Sequence, residues 1–130
     1  MSKDLHPSIL QFFQERMSSH SNVLNLADVS TAEDYLFKIS RAKQGDSLLV
    51  WMSDAYFFTD MDFHNRPAVL TTGDFILVAK PEAGFHVDDG LIELEGIGVG
   101  QIGKLMGALN LAKPWEYLTP QEREERQGRR

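Results

Sequence analysis

Three groups of residues in this chain have types and spacings that could do chemistry. Asp60, Asp62 and His64 alternate, so on an extended strand they would share a face, and two carboxylates with one imidazole suit several divalent ions. Thr59, three residues before Asp62, offers a competing arrangement, a capped helical turn over residues 60–65 on which the three splay apart. The stretch Gly98-Val99-Gly100-Gln101-Ile102-Gly103, followed by Lys104, has the G-x-G-x-x-G pattern between an apolar run and a helical one. Glycines there would let the backbone approach a pyrophosphate or similar anion at a helix N-terminus. The stretch after Gly103 contains no second apolar strand, so tight strand–helix packing is the competing use of these glycines. The third group is Asp54, Lys80 and Glu82, each just beyond an apolar run. Brought together, two carboxylates and an ammonium could hold Mg or Mn and orient a phosphodiester.

The order of Asp54 and then an apolar run ending in Lys80 is similar to the acidic–lysine arrangement of restriction-endonuclease-like nucleases, a resemblance that implies metal-assisted phosphoester hydrolysis. Val78 stands where that arrangement has a glutamate two places before the lysine, so Glu82 would have to substitute. The formal net charge of −6 and pI near 5.1 argue against a nucleic-acid partner, which normally meets a basic surface. With no cysteine, thiol catalysis, disulfides and thiolate zinc sites are excluded. The sequence also lacks a serine nucleophile elbow, a Walker loop and an H-E-x-x-H helix.

The elements that must position these residues are set by three apolar runs: Leu48-Leu49-Val50-Trp51-Met52, Phe75-Ile76-Leu77-Val78-Ala79 and Ile97-Gly98-Val99. Unbroken apolar runs suit strands covered on both faces, which predicts core strands at Ser47–Met52 and Phe75–Ala79 with Ile97–Val99 as a third. Pro7 starts a helix whose stripe is Ile9, Leu10, Phe12, Phe13 and Met17, and Val23–Leu26 suits a short edge strand. Ser30 and Glu33 form a capping-box pattern, and Ala32, Tyr35, Leu36, Ile39 and Ala42 follow at helical spacing, predicting a second helix with an Asp34–Lys38 pair. Val87 to Glu95 is ambiguous between a helix and a strand, and within it residues 91–95 suit an edge strand as well as a helix. A further helix is expected over 101–111, with Gly103 and Gly107 facing another backbone closely and Trp115 and Tyr117 docking on the core.

The fold class expected is α/β: a single small domain over residues 1–118, three core strands in a parallel or mixed sheet flanked by helices, and a charged, fraying tail over 119–130. Ligands of such sheets bind at the strand carboxyl ends, in a crevice opened by connections that leave to opposite faces. That places Asp54 and Lys80 together if their strands are parallel neighbours. The chain's polar start and the absence of any bilayer-length apolar run suggest a cytoplasmic protein with no membrane partner. The expected function is a binding or accessory module that acts on a protein partner or a homo-oligomer and needs no cofactor. The alternative is a Mg- or Mn-dependent phosphoester hydrolase using Asp54, Lys80 and Glu82.

Overall fold

The computed structural model describes residues 4–128. In chain order the elements are helix α1 (Pro7–Ser18), strands β1 (Val23–Asp28), β2 (Tyr35–Arg41), β3 (Ser47–Ser53) and β4 (Phe57–Thr59), helix α2 (Asp60–His64), strands β5 (Phe75–Val78) and β6 (Gly84–His86), helix α3 (Asp89–Glu95), strand β7 (Gly98–Gly100), helix α4 (Ile102–Ala108), a 3-10 turn (Pro114–Glu116) and helix α5 (Pro120–Gly128). The main sheet has the order β1-β2-β3-β5-β7. Strands β1, β2 and β3 form an antiparallel meander, and β5 and β7 continue from β3 in parallel. A separate two-stranded ribbon pairs β4 with β6 in parallel. This is an α/β fold with a mixed sheet, and its main sheet holds five strands rather than three.

The apolar runs are unbroken because β3 and β5 bury both faces. Val50, Met52, Phe75 and Leu77 point into a core closed by Phe13 and Met17 of α1 and by Leu105, Ala108 and Leu109 at α4. Trp51, Ile76 and Val78 point to the other face, where Phe58 of β4, Phe63 of α2, and Leu91 and Ile92 of α3 cover them. The ambiguous stretch at 91–95 is therefore helical, ended by Gly96 in the left-handed conformation (φ 66°), which glycine adopts without steric cost. Val23–Leu26 lies within β1 as expected.

The helix predicted from Ser30 to Ala42 is instead the hairpin into β2. Ser30 caps nothing: its hydroxyl accepts the Leu36 amide at 3.0 Å and closes the hairpin, while Thr31 Oγ1 accepts the Asp34 amide. Leu36, Phe37, Ile39 and Arg41 are buried, and the pairing of β2 with both β1 and β3 outweighs a spacing that fits a helix equally well. On a strand Asp34 and Lys38 stand roughly 13 Å apart along the chain, so the expected i,i+4 pair does not form.

Arg41 is the largest fully buried charged side chain, at 2% exposure. Its Nε and one terminal nitrogen each donate to Asp46 at 2.8 Å, and the other terminal nitrogen donates to the carbonyls of Leu111 (2.6 Å) and Leu109 (3.3 Å). Asn22 Nδ2 donates to the Leu109 carbonyl as well, and His20 places Nε2 2.8 Å from the Met106 carbonyl. These groups satisfy carbonyls in the last turn of α4 and just beyond it, which a helix end otherwise leaves unpaired, and they lock α4 to the meander. Asp74 is buried beside β3, accepting the amides of Leu49 and Thr71; burial raises its pKa above the usual carboxylate range despite those bonds.

The charged segment after Thr119 is not simply solvated. Thr119 and Glu122 cap α5 reciprocally, Glu122 bonds Lys104 at 2.9 Å and Arg126 bonds Asp89 at 3.1 Å, although no α5 residue is buried.

Candidate functional site

The parallel register of β3 and β5 runs from Val50 opposite Phe75 to Ser53 opposite Val78, and the Ala79 amide still reaches the Ser53 carbonyl at 3.3 Å. Asp54 and Lys80 both leave at this carboxyl end, one residue out of register with each other. Strand β3 ends where Ser53 Oγ accepts the Ala55 amide. Beyond β5 the chain turns at once: the Ala83 amide bonds the Lys80 carbonyl, with Pro81 at the turn position its fixed φ favours.

Lys80 is 8% exposed. Its Nζ lies 3.8 Å from the centre of the Tyr56 ring and 3.6 Å from a carboxylate oxygen of Asp4. Burial acts to lower its pKa, but the Tyr56 phenol and the negative charges of Asp4 and Asp54 prevail and hold it above the ordinary lysine value. The ammonium stays charged at neutral pH. Asp54 acts on Lys80 through its charge, whereas Glu82 is exposed on the turn and is not among the groups acting on Lys80.

Asp60, Asp62 and His64 do not converge. Thr59 is the N-cap of α2, Asp62 folds back to accept the Thr59 amide at 2.9 Å, and Asp60 accepts the Asp88 amide at 2.9 Å. His64 is exposed in the last turn. Helical geometry separates what a strand would have aligned. Among the described residues no group of three His, Asp or Glu side chains is placed to hold a metal ion.

The glycine stretch is occupied by the protein itself. A Cβ on Gly98 would meet the Phe75 ring at 2.6 Å, and one on Gly100 would meet the Lys104 stem at 2.5 Å. Lys104 itself is buried and paired with Glu122. Gly98 and Gly100 therefore make room for side chains. Gly103 faces open space, contrary to the close approach expected there, whereas a Cβ on Gly107 would intrude on the Tyr117 ring, a side chain rather than a backbone.

What the sequence does not reveal is a cleft of about 340 Å³ beside Lys80. Ile9, Phe12 and Phe13 of α1 form one wall, Met52, Leu77 and Ala79 the floor, and Ile102 with Gln101 at the start of α4 the far wall. Lys80 is the only charged side chain lining it among the described residues. The expected crevice between connections leaving to opposite faces is not its origin. Residues of both crossovers, β4–α2 and β6–α3, pack into the same core, and the cleft opens on the other face where α1 and α4 fail to meet. One sequence signal existed. The α1 stripe is wider than its core needs: Phe13 and Met17 are fully buried, while Phe12 at 46% exposure is left at the cleft edge.

No described helix is long and apolar enough to cross a membrane. The chain matches no protein-family model, no curated protein and no solved structure.

Proposed function

We propose that the chain is a cytoplasmic binding or accessory module whose working surface is the cleft between α1, β5 and α4. One observation carries this reading: the cleft lies at the carboxyl end of a parallel strand pair, has almost wholly apolar walls, and meets one buried cation. Apolar concavities of roughly 300–1,000 Å³ with a few placed polar groups are the usual form of a binding site. Among the described residues its lining is apolar apart from Lys80, Ser8 and Gln101.

The phosphoester-hydrolase reading keeps Asp54 within electrostatic reach of Lys80 but leaves Asp54 without Glu82 as a second carboxylate, so it has less support. A protein-partner reading draws support from Tyr56, Phe57 and Met61, which are 68%, 58% and 69% exposed beyond the end of β3. Solvent-facing aromatic and methionine side chains of this kind are enriched at interfaces.

The test is to fill the cleft. Ala79→Phe should abolish binding of a neutral apolar dye such as Nile red while leaving the circular-dichroism spectrum unchanged. Dye binding equal to that of the unmodified protein would locate the apolar site elsewhere.

A further inference from the structure

Lys80 is an unusual residue to find at the edge of an apolar cleft. A lysine side chain normally extends into water, yet the Lys80 residue as a whole is only 8% exposed, its stem packed at the cleft edge. Its nearest carboxylate, Asp4, approaches only to 3.6 Å and is itself 78% exposed, held on the segment before α1. Asp54 adds a second negative charge beside it. The other polar side chains of the cleft are already engaged: Gln101 Nε2 donates to the Ala83 carbonyl at 2.8 Å, and the Ser8 hydroxyl lies 2.7 Å from His6 Nδ1. The cleft therefore offers an incoming molecule apolar walls, with Lys80 the one charged residue among the described residues that line it.

From this arrangement we infer that the cleft binds a small carboxylic acid with an apolar tail, the tail between Phe12, Ala79 and Ile102 and the carboxylate on Lys80 in place of Asp4. This deepens the binding function proposed above and rests on it. Exchange of one carboxylate for another leaves the charge around Lys80 unchanged, so the ligand does not have to overcome Asp54 anew. A phosphate would bring a second negative charge towards Asp54 without a second cation to meet it, which selects a monoanion. A cleft of about 340 Å³ lies at the small-molecule end of binding-site sizes, which favours a free acid over a protein segment. Asp4 becomes a built-in competitor: an exposed acid that satisfies Lys80 when the cleft is empty and gives way when it fills.

The experiment is calorimetric titration of the full chain with octanoate and with 1-octanol, which share a tail length and differ in the anionic head. Octanoate should bind at least about tenfold more tightly, a difference of about 1.4 kcal/mol. Lys80→Met should reduce octanoate to the level of the alcohol. Asp4→Asn, a change at an exposed position with little bearing on folding, should tighten octanoate about threefold, of the order of a surface ion pair. Glu82→Gln alters the net charge equally and should change affinity by less than that. Equal affinities for acid and alcohol would overturn the inference and leave the apolar cleft standing, whereas no binding of either would overturn the cleft reading itself. Equal tightening by Asp4→Asn and Glu82→Gln would show general charge at work and remove Asp4 as competitor.

Discussion

Arg41 and Asp46 form an ion pair whose two halves lie in different environments, and that asymmetry gives an unequal cost for removing each. The Arg41 side chain is 1% exposed and that of Asp46 is 48% exposed. In Arg41→Met the stem packing is retained and Asp46 returns to water. Leu109 keeps its bond from Asn22, so the main loss is the 2.6 Å donor to the Leu111 carbonyl. A buried acceptor left unpaired costs about 1–3 kcal/mol, and about 2 kcal/mol is expected. In Asp46→Ala the guanidinium stays buried without its counterion, and because Asp46 is half exposed the expected cost is at the low end of that for breaking a buried pair, about 3 kcal/mol. The double variant should be no less stable than Arg41→Met alone, because Asp46 has no partner left to lose. Urea unfolding measures all four proteins. The Arg41 hydrogen bond holds the Asp46 pKa below its ordinary value, against a smaller opposing effect of burial. Its contribution is therefore complete above the unfolded-state pKa and is lost as pH falls through the folded-state value, so the gap between the unmodified protein and Asp46→Ala should close in acid. A larger loss for Arg41→Met than for Asp46→Ala, or additive losses in the double variant, would refute the reasoning.

Two further outcomes follow from the same packing. Gly107→Ala should destabilise by about 1–3 kcal/mol because its methyl meets the Tyr117 ring, whereas Gly103→Ala, facing open space in the same helix, should be neutral or stabilise by up to about 1 kcal/mol; equal melting shifts for the two would contradict the assignment. Burial raises the Asp74 pKa, so the folded state holds that proton more tightly than the unfolded chain, and stability is lost as pH rises from the ordinary carboxylate value through the raised one. The stability advantage of the unmodified protein over Asp74→Asn should narrow across that interval, and a constant difference would contradict the shift.

Much of the fold was legible because both central strands are buried on two faces and therefore read as unbroken apolar runs. Thr59 and Pro7 were legible for a local reason, since a cap and a first-turn proline act within a few residues. Strand β2 was not. Leu36 and Ile39 fit a helical period, and only pairing with strands on either side shows that Phe37, Ile39 and Arg41 form one buried face. Nothing in the sequence distinguishes Arg41 from a surface arginine, because Asp46 is half exposed and its other partners are main-chain carbonyls far along the chain. That Asp54 and Lys80 leave at the same end of the sheet followed from strand direction, but the cleft beside Lys80 depends on how α1 and the start of α4 sit across β3 and β5, which no local pattern encodes.

The central claim is that the apolar cleft at the carboxyl end of β3 and β5 is the binding surface. The most direct measurement is an isotope-filtered NMR experiment that detects nuclear Overhauser contacts between a small neutral apolar probe and the protein. Contacts should appear to the methyl groups of Ile9, Ala79 and Ile102 and to the Phe12 ring, and they should vanish in Ala79→Phe. Contacts concentrated instead on Tyr56, Phe57 and Met61, with Ile9 and Ile102 silent, would contradict the claim and transfer the binding surface to the exposed segment beyond β3.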